Sequence, residues 1–214
     1  MDTRSGRTPL LFETLRIEDG RLMHLSWHNG RMNRCRREIF GAKEELDISK
    51  YVGNIPDRGV YRCKVYYTLY IESVDISPYL HTPLRILGVV EADMDYGCKY
   101  ADRSFFEKLR ALSPDMDDVV IVRDGLLSDT TTANIALQID DEWFTPAKPL
   151  LEGTTRKRLL EEGRLRERDL HIGDLYDCDS LAVMNALRGF EVVDGVKIVS
   201  QGYRKGDDER YIRG

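Results

Sequence analysis

Lys99 stands in the run Asp95-Tyr96-Gly97-Cys98-Lys99-Tyr100. Apolar and aromatic neighbours at an element boundary can strip water from an amine, which lowers its pKa and frees its lone pair for imine chemistry. The same stretch reads equally as a surface lysine in a loop. Gly153-Thr154-Thr155-Arg156 opens a helix after Pro149. Backbone N–H groups and hydroxyls at a helix start form an anion site, although either threonine also serves as an ordinary N-cap. Asp129, within Ser128-Asp129-Thr130-Thr131-Thr132-Ala133-Asn134, sets a carboxylate before an apolar strand, where it can face a positive ring nitrogen or act as a turn residue. Arg31, on a helix beginning near Trp27, offers paired N–H donors to a phosphate or projects into solvent.

The elements that must carry these residues follow from periodicity and punctuation. Leu10 to Ile17 reads as a strand closed by the turn Glu18-Asp19-Gly20-Arg21, and Leu22 to Leu25 as a short second strand. Trp27 to Phe40 reads as a helix, with Met32, Cys35 and Ile39 at spacings of three and four, Ser26 as N-cap and Gly41 as stop. Arg34, Arg36 and Arg37 are expected on its solvated face. Asp47 to Val52 reads as a short helix and Val60 to Glu72 as one long strand. Further strands are expected at 74–79, 84–90 and 119–122, a hairpin over 134–146 through Asp140-Asp141, and helices over 104–112 and 155–163. A helical turn leading into a strand is expected over 177–185. Strands mixed with separate helices, without regular βαβ alternation, imply α+β architecture in two domains. The boundary is placed near residues 82–96, giving a small domain over 1–90 and a larger one over 91–214 that carries Lys99.

Composition narrows the classes. The 214 residues are 42% hydrophobic and 32% charged, with a formal net charge of -5, which argues against non-specific nucleic-acid binding. No apolar run approaches membrane-spanning length, and Met1 to Arg7 lacks the apolar core of a signal peptide. Four scattered cysteines, with no Cys-x-x-Cys, are expected to be reduced core residues of a cytoplasmic protein, and four unclustered histidines speak against a metal site.

Taken together and in this order, the motifs resemble the class IV aminotransferases, the fold-type-IV enzymes that use pyridoxal 5′-phosphate (PLP). Phe12-Glu13-Thr14-Leu15-Arg16 with Asp19-Gly20 is similar to the family's FET strand and turn. His28-Asn29-Gly30-Arg31-Met32 is similar to its H-x-x-R-L helix, and Leu127 to Asn134 to its S-E-x-x-x-x-N segment. Phe144-Thr145-Pro146 and Leu151 to Arg156 are similar to its TP…L-x-G-x-x-R run. The resemblance implies a two-domain fold like that of D-amino-acid aminotransferase, shortened at the N-terminus, and a homodimer with active sites near the domain and subunit boundary. It implies PLP tethered to Lys99 and a small amino substrate. The phosphate would be held by Arg31 and by the Thr154 and Thr155 amides, and the ring nitrogen would pair with Asp129, which replaces the family's Glu.

Lys99 followed by Asp102-Arg103, and Met184-Asn185-Ala186-Leu187, resemble the 4-amino-4-deoxychorismate lyases, in which Asn185 and Ala186 would lie near the phosphate. A lyase that releases pyruvate to leave 4-aminobenzoate is therefore expected. The alternatives are an aminotransferase for a small branched-chain or D-amino acid, and a non-catalytic PLP-binding relative.

Overall fold

A computed structural model describes residues 8–94 and 96–200. Asp95 and the polar stretch Met1 to Arg7 lie outside the described residues. The described residues divide into two compact units: residues 8–80 with 98–103, and residues 81–94 and 96–97 with 104–200.

In the first unit β1 (Leu11–Glu18) turns at Asp19-Gly20 into the short β2 (Arg21–Leu22). Helix α1 (Leu25–Phe40) follows, then β3 (Val60–Tyr67) and β4 (Ile71–Pro78). The antiparallel sheet runs β2-β1-β3-β4. Both turn residues have positive φ, which the glycine adopts without cost and the aspartate tolerates. Helix α1 starts two residues earlier than its sequence suggests, with His24 rather than Ser26 at the N-cap. It stops at Gly41 (φ 68°), as expected. Of its buried side chains, His28, Arg31, Met32, Cys35 and Arg36 recur at spacings of three and four, with Asn33 buried beside them, so one face covers the sheet.

Arg36 corrects an expectation: it is 2% exposed rather than solvated. Its Nε and Nη2 donate to the Leu69 carbonyl and its Nη1 to Asn33 Oδ1 and the Glu44 carbonyl, which satisfies a buried cation without a carboxylate. The expected long strand at 60–72 is a hairpin, because the chain reverses at 68–70 and Tyr67 pairs with Ile71. Tyr67 is fully buried and Tyr70 exposed.

The second unit contains β5 (Ile86–Glu91), α2 (Ser104–Ala111), β6 (Asp118–Arg123), β7 (Leu126–Thr130), β8 (Asn134–Ile139), β9 (Glu142–Pro146), α3 (Thr154–Glu161), β10 (Arg166–Arg168), α4 (Ile172–Asp177), β11 (Ser180–Asn185), β12 (Gly189–Val192) and β13 (Lys197–Ser200). Seven strands pair in the order β10-β9-β8-β7-β6-β5-β13, with β11 joined to β8 and β12 to β11. The β6–β7 and β8–β9 hairpins turn on Asp124-Gly125 and Asp140-Asp141, all four residues at positive φ, the conformation that two-residue hairpin loops require. The core gathers Leu87, Val120, Val122, Leu127, Ile135, Leu137 and Val183 from five of these strands.

Two expectations need correction. The division falls after residue 80 rather than 90, and Lys99 does not belong to the larger unit. Its segment returns to the first one, where Leu11 bridges Tyr100 in antiparallel fashion, Phe12 N–H donates to the Lys99 carbonyl (2.9 Å) and Ala101 N–H to the Leu10 carbonyl (2.8 Å). The cysteines are not all reduced either. Cys35 and Cys98 form a disulfide, and only Cys63 and Cys178 are free among the described residues.

Candidate functional site

Each unit carries a polar cluster built from residues that the sequence singled out.

In the first unit, β1 buries Glu13 completely, and α1 aims two side chains at it. Arg31 donates through Nε to Glu13 Oε1 (2.8 Å) and through Nη2 to Oε2 (2.6 Å), and His28 Nδ1 lies 2.7 Å from the same Oε2. Burial works to raise the Glu13 pKa, yet Arg31 and the His28 hydrogen bond outweigh it and hold the carboxyl at about 2. Burial lowers the His28 pKa, against the pull of Glu13. Glu13 and His28 stand in the quoted motifs, but sequence reasoning gave them no role. The signal was there: a carboxylate in the middle of an apolar strand needs a cation opposite it.

Lys99 is half-buried, with Nζ 4.9 Å from the centroid of the Phe12 ring. That ring stacks on Tyr66 and has Lys64 Nζ 5.6 Å from its centroid. Desolvation of the amine, reinforced by the positive charges of Arg31 and Arg103 and opposed by Glu13, lowers the Lys99 pKa to about 7. A substantial share of this amine is therefore neutral at physiological pH, the state that attacks a carbonyl.

In the second unit, Asp129 at the end of β7 and Asn134 at the start of β8 pair across the hairpin. Asn134 Nδ2 donates to Asp129 Oδ1 and to the Leu151 carbonyl (2.8 Å each), while Leu151 N–H donates to Asp129 Oδ2 (2.9 Å). Burial pushes the Asp129 carboxyl up to about 6, with the Asn134 and Leu151 hydrogen bonds pulling the other way. The loop between them is pinned from below. Asp118 accepts from Thr131 Oγ1 (2.5 Å), Thr132 Oγ1 (2.8 Å) and Thr131 N–H (3.2 Å).

Gly153 is the N-cap of α3 and so brings no side-chain acceptor to its first turn; Thr154 and Thr155 are buried there. The N-terminus of a helix with no side-chain cap at its N-cap residue suits an anion. Arg156, in the same motif, has a structural task instead: Nη2 donates to the Pro146 carbonyl (2.8 Å) and to Glu167 Oε1 (2.6 Å). Asn185 is half-buried at the β11–β12 turn. Its Oδ1 accepts from Leu187 and Arg188 N–H, and its Nδ2 donates to the Thr132 carbonyl (3.3 Å). It is thereby joined to the loop that follows Asp129, with Ala186 next in the turn.

The glycine at 153 is required by close packing. A Cβ there would collide with Asn134 Oδ1, and Asn134 cannot swing aside without breaking both hydrogen bonds of its Nδ2. Gly153→Ala is expected to cost about 1–3 kcal/mol, read as a lower denaturant midpoint, and to weaken inorganic phosphate binding in the same protein.

Taken unit by unit, the residues suit parts of the PLP that the sequence resemblance implies: in the first, an amine lowered to about pKa 7; in the second, a buried carboxylate and a helix start with glycine at its N-cap. Comparison with known proteins agrees. Residues 57–194 match the family Amino-transferase class IV. An uncharacterized protein of Haemophilus influenzae is 31% identical over 185 residues, covering 84% of this chain and 98% of its own. A crystal structure from Haemophilus somnus 129pt, described as a "putative 4-amino-4-deoxychorismate lyase", is 29% identical with a TM-score of 0.78, covering 86% of this chain and 100% of its own. The fold is shared with the PLP-bound form of a hypothetical aminotransferase from Mycobacterium tuberculosis, at 17% identity and a TM-score of 0.72, covering 96% of this chain and 88% of that one. No helix among the described residues is long and apolar enough to cross a membrane. The α+β fold is that of the fold-type-IV enzymes, and the chain belongs to the PLP-dependent class IV aminotransferase family.

Proposed function

We propose that this protein is a PLP-dependent lyase that acts on 4-amino-4-deoxychorismate, releasing pyruvate and 4-aminobenzoate. The observation that carries the PLP reading is the Lys99 amine, desolvated beside Phe12 and lowered to about pKa 7 in a chain of this family. The choice of lyase over aminotransferase is supported by Asp102-Arg103 after Lys99, by Met184-Asn185-Ala186-Leu187, and by the likeness to the Haemophilus somnus protein.

When bound, PLP supplies an electron sink for negative charge at the substrate carbon beside the amine. Lys99 supplies the amine that tethers the cofactor. Its amine would also carry a proton between substrate positions, a task suited to a group titrating near neutral pH. Within the first unit, Arg31, oriented by Glu13 and His28, would offer its guanidinium to the phosphate; within the second, the Thr154 and Thr155 amides at the start of α3 would do so. Asp129 would pair with the ring nitrogen and keep it protonated. It is one methylene shorter than the family's Glu, and its fixed hydrogen bonds from Asn134 and Leu151 hold it in one orientation. It carries its full charge only above pH 6 or so. Cofactor affinity is therefore expected to rise as the pH climbs through about 6, and Asp129→Asn to flatten that rise.

Incubating PLP-loaded protein with aminodeoxychorismate is expected to yield 4-aminobenzoate and pyruvate in equal amounts. Absence of both products from protein that holds PLP on Lys99 would overturn the lyase reading. Conversion of the cofactor to its pyridoxamine form by an amino acid would replace it with a transaminase.

A further inference from the structure

We infer that Cys35 and Cys98 form a reversible redox latch on the lysine segment, with the disulfide keeping residues 98–103 docked and its reduction releasing them. The consequence for cofactor capture rests on the proposed role of Lys99; the latch itself does not.

The placement of the two cysteines carries the argument. The chain on either side of Cys98–Arg103 belongs to the second unit, so a stretch of only six residues returns to the first. The stretch is pinned there by the short bridge to Leu10–Phe12 and by the disulfide. Cys98 immediately precedes Lys99. Cys35 lies one helical turn beyond Arg31 on the buried face of α1, since residues four apart share a face. The bond thus joins the helix that presents Arg31 and His28 to the residue adjoining the amine. It spans 63 residues of sequence, so opening it restores much chain freedom.

The chemistry has a direction. Glu38 Oε2 lies 3.9 Å from Cys98 Sγ, and a carboxylate disfavours a thiolate beside it, making Cys98 the poorer leaving group. Cys98 is also the slightly more exposed residue, 3% against none for Cys35. The thiolate of a dithiol reductant therefore attacks Cys98 Sγ. The S–S bond breaks, and Cys35 leaves as a thiolate and takes up a proton. The reductant's second thiol then attacks its own sulfur in the mixed disulfide and releases Cys98 as a thiol. The reductant is oxidised to its disulfide by two electrons, and two protons end on the two cysteines. Cys63 and Cys178 are unpaired and do not enter this exchange.

The test uses the full chain, air-oxidised or treated with dithiothreitol. Titratable thiols in denaturant should rise from two to four on reduction. Trypsin should cut after Lys99 or Arg103 at least tenfold faster in reduced protein, and equally fast in Cys35→Ser and Cys98→Ser without reductant, with Cys178→Ser behaving as wild type. Borohydride-trapped PLP on Lys99 should form with a roughly tenfold weaker PLP dependence in the reduced state. Equal trypsin rates in the two redox states of wild type would overturn the latch, whatever PLP does. A trypsin difference without any PLP adduct on Lys99 in either state would uphold the latch and sink the cofactor assignment instead. Four free thiols in air-oxidised protein, with one zinc ion bound per chain, would also overturn the latch, in favour of a metal held by Cys35, Glu38 and Cys98, whose donor atoms lie within 4.8 Å of one another.

Discussion

Lys99→Ala is expected to lose turnover by roughly ten-thousand-fold or more, because it removes both the tethering amine and the proton carrier. The borohydride-stable PLP adduct should vanish with it, and mass spectrometry of the peptide containing residue 99 reads this directly. The pH dependence is a sharper signature than the loss itself. With a pKa lowered from 10.5 to about 7, the wild-type amine should capture PLP with a midpoint near pH 7, whereas surface lysines react only in far more alkaline solution. Removing a neighbouring cation should raise that midpoint. Lys64→Gln therefore shifts it upward, without touching the Glu13–Arg31 pair. The same depression fixes a stability trend. Between pH 7 and 10.5 the unfolded chain binds a proton at this lysine that the folded apoprotein does not, so folding stability rises with pH across that window. Lys99→Met should abolish this part of the slope.

Glu13→Ala should lower stability by about 3–5 kcal/mol. It removes the carboxylate that Arg31 and His28 share, in a space where Glu13 is fully buried and His28 and Arg31 are 1% and 9% exposed. Glu13→Gln retains the shape but not the charge, and should fall in between. Because the Glu13 pKa is depressed from 4.5 to about 2, the wild-type advantage over Glu13→Gln is full above pH 4.5 and fades as the pH falls towards 2. Paired urea titrations at pH 7 and pH 3 measure the difference. An unchanged gap would mean that the carboxylate contributes through packing rather than charge.

How much of this was legible depended on the reach of each interaction. Asp129 was legible as a residue of interest, but its hydrogen bond from Asn134 was not, although the two lie five residues apart and close one hairpin. The stop of α1 at Gly41 and the Asp140-Asp141 turn were readable because each is set by a few neighbouring residues. The reversal at 68–70 was hidden, because Thr68-Leu69-Tyr70 contains no Gly, Pro, Asn or Asp to mark a turn. β7 was hidden because Leu126-Leu127-Ser128-Asp129-Thr130 alternates poorly and gains its strand character from neighbours on both sides. Arg36 looked like one more surface arginine among several, because three of its four hydrogen bonds go to main-chain carbonyls at Glu44 and Leu69, which carry no side-chain signature. The disulfide joins cysteines 63 positions apart, a pairing that spacing cannot reveal.

The return of residues 98–103 to the first unit has a bearing on how such proteins can be recombined. The first unit is not one uninterrupted piece of gene. A splice between relatives made at a single point after residue 80 would bring Arg31, Glu13 and Phe12 from one parent and the amine from the other. Hybrids in this family should therefore tolerate exchange only when two separated stretches are inherited together, and a library of single-crossover chimaeras should be depleted at every junction between residues 80 and 98.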